Sequence, residues 1–312
     1  MIQVHVPATS ANCCIGFDSL GMALDWWATF QFEPSDELII TGCPKEYANE
    51  ENLVVQSFLK TCQHLKKEMP TFHLHIDSDI PFSRGLGSSS TCVVAGILAC
   101  DAWFQTHLNK MEILEIATDI EGHPDNVAPC IFGKAVCSFM EEGKPRMMIV
   151  PCADYKCLAM IPDYPIVTNE ARKVLPSTLE YKDAVSQVGH ALCFLQALQV
   201  GNEMILAKSC VDHLHEPYRK KLIPDYDSIH EQCQEMDLAM WISGSGSTML
   251  AISLDPTKLN QLQKDVETKL SIQCRQVQTD KGRSCRQKIP SRPRRSFSYK
   301  YPGQDNLTKA EP

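Results

Sequence analysis

The sequence predicts an α+β protein of two domains. The chain has 312 residues, and a domain typically has about 150. Segments with the two-residue period of strands are concentrated before residue 163, and segments with the period of helices are concentrated after it. A strand-rich half followed by a helix-rich half is typical of the α+β class. We therefore expect an N-terminal domain over residues 1–163, a C-terminal domain over 164–281 and a tail over 282–312.

The first half combines predicted strands with a few helices. Alternating or β-branched runs predict strands over residues 2–6, 22–32, 36–42, 71–76, 134–140, 146–151 and 156–162. Pro34 and Ser35 predict a turn that joins the second of these strands to the third. Apolar residues three or four positions apart predict helices over 52–67 and 111–121, and an apolar run of helical length follows residue 90.

The second half changes character near Pro165. Helices are predicted over residues 180–200, 202–213 and 256–270. Two strands, over 239–242 and 248–254, flank the glycine- and serine-rich turn at 243–247. Residues 282–312 show no apolar periodicity, and we expect this tail to be disordered.

The charge of the chain is unevenly distributed. The whole sequence carries −8 at pH 7. Residues 282–312 contain eight Lys and Arg and two acidic residues, so the tail carries +6 and the other 281 residues carry −14. Proteins that bind nucleic acid neutralise its phosphates with Lys and Arg, and an acidic body is unsuited to that. We expect no nucleic-acid partner.

The cysteines and the N-terminus predict a cytoplasmic protein. The 15 cysteines are odd in number and show no C-x-x-C spacing, which is typical of reduced thiols in the cytosol. The N-terminus has no basic start followed by an apolar run, so we expect no secretory signal. No uncharged apolar stretch approaches about 18 residues, so we also expect no membrane span.

The most informative segment is DIPFSRGLGSSST at residues 79–91, where a strand leads through glycines into a helix. Gly85 and Gly87 allow backbone conformations that larger residues avoid, and the free N–H groups of a helix's first turn attract anions. These features predict a cradle for a phosphate group. The alternative is a plain turn with a helix N-cap. No Lys follows the glycines, so this is not a Walker-type loop.

Three further segments combine glycine with polar side chains. They are PATSANCCIGFDSLGMAL at 7–24, EGHPDNVAP at 121–129 and SGSGSTMLAI at 243–252. With TNEAR at 168–172 and HEPYRKKLIP at 215–224, they form an ordered series in which the chain resembles the GHMP kinase superfamily of small-molecule kinases. Within it the resemblance is closest to the homoserine kinases. Cys13, Cys14 and Ile15 replace a Leu-Gly-Pro-like run of that family, and Ser247 replaces a proline.

The resemblance implies a fold and a nucleotide site. The fold would pair a strand-rich, ATP-binding N-terminal domain with a ferredoxin-like α/β sandwich. The residues implied to bind the ATP phosphates are Pro81, Arg84, Gly85, Leu86, Gly87, Ser88, Ser89 and Ser90. Ser89 and Glu121 are implied to hold Mg²⁺, a hard cation that prefers oxygen ligands.

The resemblance also implies a substrate site. The residues implied to bind the substrate are Asn12, Asp18, His123, Arg172, Arg219 and Gly244. The two arginines would hold a carboxylate, since a guanidinium pairs with both of its oxygens. Asp125 and Asn126, together with Glu121, are the implied catalytic residues. Asp125 either removes the hydroxyl proton or orients the alcohol, and a loose transition state favours orientation. A structural role for His123 and a surface role for each arginine are the alternatives.

The implied reaction is the Mg²⁺-dependent transfer of the ATP γ-phosphoryl group to the side-chain hydroxyl of L-homoserine. The product would be O-phospho-L-homoserine, an intermediate of threonine biosynthesis. The alternatives are another kinase of the superfamily, such as a mevalonate-type enzyme, and a non-catalytic sensor on the same fold. The implied partners are small molecules, and the sequence leaves a homodimer open. Because the tail follows the last resembling segment, we expect its removal after Lys281 to leave the activity intact.

Overall fold

A computed structural model describes residues 1–280 and 285–288 of the chain. Their strands form two β-sheets. The strands of the first sheet are β1 (Ile2–Ala11), β2 (Leu20–Pro34), β3 (Ile39–Thr41), β4 (Phe72–Asp77), β5 (Ala135–Glu141), β6 (Lys144–Val150) and β11 (Arg286–Lys288). The second sheet consists of β7 (Lys156–Ile161), β8 (Ala239–Ile242), β9 (Met249–Ser253) and β10 (Gln273–Gln278).

The helices pack against these sheets. The N-terminal region contains α1 (Leu53–His64), α2 (Ser88–Phe104), α3 (Lys110–Glu121) and α4 (Pro124–Phe132). The C-terminal region contains α5 (Thr168–Lys173), α6 (Tyr181–Val200), α7 (Glu203–Ser209), α8 (Glu216–Arg219), α9 (Tyr226–Glu235) and α10 (Pro256–Leu270). Helices α5, α8 and α9 were not predicted, and neither was α4. Its Pro124 stands in the first turn, where the absent N–H costs nothing, and the helix accommodates Pro129 further on. No helix in the described ranges is long and apolar enough to span a membrane.

The second sheet has the strand order β10-β7-β9-β8 and is antiparallel throughout. Successive side chains of its strands enter two different cores. Trp241 packs edge-on against Phe194 of α6, whereas Met240 and Ile242 lie in the core that includes Leu259 of α10. Because both faces are covered by helices or by the first domain, the sheet is the centre of a sandwich. The predicted α+β class and two-part architecture are confirmed.

Several elements differ from their predicted form; strand β1, for example, was predicted over 2–6 and extends to Ala11. Strand β3, predicted over 36–42, is observed only over Ile39–Thr41 and pairs in parallel with β4, with helix α1 as the crossover between them. Helix α7 ends at Ser209, so residues 210–213 are not helical. Strand β7 lies before the predicted domain boundary but belongs to the second sheet. The division at residue 163 itself stays a prediction.

A short segment of the tail has a defined structure. Residues 286–288 form β11, which pairs antiparallel with β1 through Gln3, Val4 and His5. The Cys285 thiol donates to the Ile131 carbonyl oxygen at 3.5 Å. The expectation of a structureless tail is therefore wrong for residues 285–288. The other tail residues, 282–284 and 289–312, lie outside the described residues. No strand was predicted in the tail because three residues are too few to show the two-residue alternation of a strand.

We expect a chain that ends at Lys281 to be less stable than one that ends at Lys288. The shorter chain leaves the edge of β1 unpaired and loses the Cys285 contact. Each kcal/mol that is lost from the free energy of unfolding lowers the melting temperature of a domain of 150–250 residues by about 2–4 °C. Calorimetry of both chains measures the difference. Equal melting temperatures would show that β11 contributes nothing to the fold.

Candidate active site

A cleft of about 400 Å³ brings together most of the predicted site residues. Those that line it are Asn12, Asp18, Gly85, Gly87, Ser88, Ser89, Ser90, Glu121, His123, Asp125, Asn126, Arg172, Arg219 and Gly244. The cleft is also lined by Leu53, Ser83, Ile120, Thr168, Asn169 and Ser245, which sequence reasoning missed. These residues come from both halves of the chain, so the cleft lies where the two halves meet.

The predicted phosphate loop runs along one wall of the cleft. Gly87 caps the N-terminus of α2 with φ at 67°, in the left-handed region that favours glycine. A Cβ at Gly87 would lie 2.0 Å from Thr9 Oγ1, and one at Gly85 would lie 2.0 Å from the Ser243 carbonyl oxygen. Only glycine therefore fits at these two positions. The 17-residue helix α2 directs the positive end of its dipole and its first N–H groups into the cleft.

Hydrogen bonds hold this loop against the first and third glycine-containing segments. Ser243 Oγ lies 2.6 Å from the Gly85 carbonyl oxygen and 2.8 Å from Ser10 Oγ. The Thr9 N–H donates to the Leu86 carbonyl oxygen at 3.1 Å. Segments that are far apart in sequence thus form one rigid wall.

Three predicted loop residues do not line the cleft. Leu86 is 1% exposed and belongs to the hydrophobic core. Arg84 is turned towards backbone, since Nε donates to the Pro162 carbonyl oxygen at 3.1 Å and Nη1 to the Phe82 carbonyl oxygen at 3.2 Å. Pro81 precedes the loop and is also absent from the lining. Leu86 and Arg84 therefore support the loop from outside the cleft.

Glu121 lies at the C-terminal end of α3, facing the start of α2. Ser89 Oγ donates to its Oε2 at 3.0 Å, and Ser90 Oγ donates to its Oε1 at 3.3 Å. Burial raises the pKa of the Glu121 carboxyl above its ordinary value, and the Ser89 hydrogen bond opposes this. A carboxylate beside two hydroxyls is a set of hard oxygen atoms, which is the donor chemistry that Mg²⁺ prefers.

His123, Asp125 and Asn126 lie together at the start of α4. Asp125 is 2% exposed, and its Oδ1 lies 2.6 Å from His123 Nδ1. This hydrogen bond raises the pKa of His123, although burial of the ring opposes the shift. Thr9 Oγ1 donates to Asn126 Oδ1 at 2.7 Å and fixes the orientation of that amide. The arrangement holds a carboxylate and an amide rigidly in one wall.

The two predicted arginines line the part of the cleft that also carries Asp18, which we call the arginine wall. Arg172 pairs with Asp18 through two hydrogen bonds, of 2.8 and 3.1 Å, and both side chains are 36% exposed. Arg219 is buried, and its Nη1 donates to the Gly244 carbonyl oxygen at 3.0 Å. Burial, and then the neighbouring Arg172, lower the pKa of Arg219 to about 10. The Phe17 ring lies 5.7 Å from the Arg172 guanidinium and 5.0 Å from that of Arg219.

Asn12 links this wall to the third glycine-containing segment. Its Nδ2 donates to the Gly244 carbonyl oxygen at 2.8 Å, and its Oδ1 accepts from the Asp18 N–H at 3.1 Å. Asn12 has φ at 68°, a left-handed conformation that asparagine tolerates. The Asn12 side chain therefore fixes the position of Asp18 relative to Gly244.

A second cavity of about 200 Å³ adjoins the phosphate loop and was not predicted. Leu53, Ser83, Ser88 and Ser89 line both cavities. The aromatic and aliphatic residues that line only the second cavity are Phe30, Tyr47, Ile76 and Phe82. They come from four different segments, and nothing in their local sequence distinguishes them from core residues. Only the tertiary structure could reveal this cavity.

The fold and the cleft define a class of protein. The family model of the GHMP kinases N terminal domain matches residues 52–134, and the GHMP kinases C terminal model matches residues 173–272. The first match includes the loop before α2, and the second includes strands β8 and β9 of the second sheet with helices α6 to α10. The chain belongs to the GHMP kinase family.

Similar proteins and solved structures indicate which members of the GHMP kinase family this chain resembles. A homoserine kinase of Clostridium botulinum (strain 657 / Type Ba4) is 38% identical over 261 residues, which cover 83% of this chain and 88% of the relative. The crystal structure of the homoserine kinase from Cytophaga hutchinsonii ATCC 33406 has a TM-score of 0.81 at 27% identity, covering 92% of this chain and 96% of that one.

The wider family shares the fold. The Methanococcus jannaschii mevalonate kinase has a TM-score of 0.67 at 17% identity and covers 89% of this chain and 98% of its own. At that identity the likeness concerns the fold alone.

Proposed function

We propose that the protein phosphorylates the side-chain hydroxyl of L-homoserine with ATP, giving O-phospho-L-homoserine for threonine biosynthesis. One observation carries the proposal. The glycine loop at the start of α2 and the Arg172 and Arg219 pair line the same cleft of about 400 Å³. A phosphate-binding helix terminus and a pair of arginines that can bind a carboxylate therefore line one space suited to small molecules.

The two adjoining cavities support ATP as the phosphate donor. The predominantly apolar second cavity would take the adenine ring, and the phosphates would extend past Ser88 and Ser89 into the cleft. The N–H groups of the first turn of α2 would hold the phosphate oxygens. Leu53 lines both cavities and would contact the nucleotide where its base meets its sugar.

The residues present fit a magnesium ion at the loop. Ser89 and Glu121 offer hydroxyl and carboxylate oxygens within hydrogen-bond distance of each other. The ion would neutralise charge on the transferring phosphoryl group. Asp18, His123 and Asp125 also lie close together, with ligand atoms within 4.8 Å of one another. There, however, Arg172 already pairs with Asp18 and His123 with Asp125, so we assign the ion to Ser89 and Glu121.

The charges of the arginine wall support a zwitterionic substrate. An amino acid has an ammonium group for Asp18 and a carboxylate for Arg172 and Arg219. Its two charges would replace the bonds that Asp18 and Arg172 make to each other, so neither charge is left without a partner. Mevalonate has a carboxylate but no ammonium group, and Asp18 would then lose its partner. The wall therefore favours an amino acid over a mevalonate-type substrate.

Asp125 and Asn126 would orient the hydroxyl that accepts the phosphoryl group. The Asp125 carboxylate already bonds to His123 at 2.6 Å, and Thr9 fixes the Asn126 amide. Phosphoryl transfer depends mainly on positioning and charge neutralisation, because its transition state is loose. Orientation by a rigid pair is therefore sufficient, and we do not require Asp125 to act as a base. A cytoplasmic location and a homodimer are further expectations that accompany this function.

A coupled assay of ADP release tests the proposal. The purified chain is supplied with MgATP and with L-homoserine, mevalonate, L-threonine or no acceptor. We expect ADP release well above background only with homoserine, together with a phosphate monoester detected by ³¹P NMR. Preferential turnover of mevalonate would favour another kinase of the family. No turnover with any acceptor would favour a sensor that retains the fold.

A further inference from the structure

A buried histidine lies directly behind the cleft. His215 precedes helix α8, which carries Arg219, and its side chain is completely buried. His215 Nε2 lies 2.9 Å from the Cys14 carbonyl oxygen, in the loop that carries Asp18. His215 Nδ1 lies 3.5 Å from Arg219 Nη1. One imidazole thus contacts both the first loop and the buried arginine.

The two contacts determine which nitrogen carries the proton. A carbonyl oxygen can only accept, so Nε2 carries the hydrogen that it shares with Cys14. Burial lowers the pKa of His215, which favours the neutral ring. In a neutral ring with its hydrogen on Nε2, Nδ1 is an acceptor. Its lone pair faces the Arg219 guanidinium, which can only donate.

The surroundings of His215 hold the ring in place. Asp212 Oδ2 accepts from the His215 N–H at 2.7 Å and from the Glu216 N–H at 2.8 Å, so it caps the start of α8. Gln187 Nε2 donates to Asp212 Oδ1 at 2.9 Å. The ring also stacks on Phe17 with 5.2 Å between centroids, and Arg219 lies over the same Phe17 ring. The imidazole is therefore anchored independently of any substrate.

We propose that His215 is a positioning residue that sets the position of Arg219 for the substrate carboxylate and joins it to the loop bearing Asp18. This inference rests on the proposed function. Arg219 makes its other polar contacts with the carbonyl oxygens of Ala171 and Gly244. The acceptor on His215 fixes Nη1 from a third direction. Without it, the guanidinium can rotate away from the carboxylate.

Two substitutions separate the polar contacts of His215 from its packing. His215→Phe keeps the stack on Phe17 and loses both polar contacts. His215→Leu loses both polar contacts and the stack, so its comparison with His215→Phe isolates the contribution of the ring. We expect each variant to raise KM for homoserine about tenfold while KM for ATP stays within twofold of the parent. The second variant keeps the test decisive if the first does not fold.

His230→Phe is the matched control. His230 stacks on Tyr226 with 5.4 Å between ring centroids and does not line the cleft. Replacing it with Phe changes a stacked histidine in the same region without touching Arg219, and we expect both KM values to match the parent. A rise in KM for homoserine in this control equal to that of the His215 variants would overturn the inference.

A double-mutant cycle distinguishes positioning from a general structural role. If His215 acts through Arg219, then His215→Leu should cause no further rise in KM for homoserine when Arg219 is already Leu. Additive effects would overturn the inference, as would an unchanged KM in both folded His215 variants. A parent protein that does not phosphorylate homoserine would overturn the proposed function and this inference together. An active parent with unaffected variants would overturn the inference alone.

Discussion

The variant Glu121→Gln should fold like the parent and lose most of its turnover, by roughly 100-fold or more. The amide has the shape of the carboxylate and can still accept a hydrogen bond from Ser89 or Ser90, so the start of α2 keeps its partner. It supplies no negative charge to hold magnesium. Turnover at several magnesium concentrations, with the melting temperature of each protein, measures both consequences.

Glu115→Gln is the matched control for this variant. Glu115 lies on the same helix, α3, and pairs at 3.6 Å with Lys144. That pair is largely exposed, and exposed ion pairs contribute about 0–1 kcal/mol. We expect the control to match the parent in turnover and in magnesium dependence. If Glu121→Gln did so too, Glu121 would not be a ligand of the metal.

Replacement of Arg172 or Arg219 by Leu should raise KM for homoserine far more than KM for ATP. Hydrogen bonds to charged groups are worth about 1.5–3 kcal/mol, which corresponds to about 10- to 150-fold in affinity. Arg172 is partly exposed, so its loss should leave the melting temperature nearly unchanged. Arg219 is buried, and its loss removes one donor each from the carbonyl oxygens of Ala171 and Gly244. We therefore expect Arg219→Leu to be less stable as well.

Lys173→Leu provides the comparison for Arg172→Leu. Lys173 is the next residue, and its Nζ pairs with Glu170 on the surface, with 70% of the lysine side chain exposed. Its removal should change neither KM, since a solvated cation outside the cleft does not contact the substrate. Equal rises in the KM values for homoserine and ATP in Arg172→Leu would instead indicate a general role in the structure.

Elements with a strong local signal were predicted correctly. Helix α10 was expected over 256–270 and is observed as Pro256–Leu270, where Asp255 caps the first turn and Pro256 occupies a position that needs no N–H. Strand β8 was expected over 239–242 and is observed there. In both elements the local pattern and the tertiary packing favour the same structure.

Pairing between elements was not predictable in the same way. Strand β3 was expected to follow β2 through a turn at Pro34 and Ser35, and no local signal indicated its pairing with β4. Strand β11 lies in a basic tail with no periodicity, and its partner β1 is at the other end of the chain. A strand of three residues receives its stability from the backbone hydrogen bonds that a neighbour supplies, so its own residues carry little information.

The sequence by itself determined the α+β class, the glycine loop and the residue types of the site. Glycine at 85 and 87 and the polar residues of three segments are chemical requirements that local sequence records. The tertiary structure decided which of these residues face one another. It turned Arg84 and Leu86 away from the cleft, buried Arg219 beside His215 and opened the second cavity next to the loop. The physical reason is that such contacts join residues far apart in the chain, and only packing brings them together.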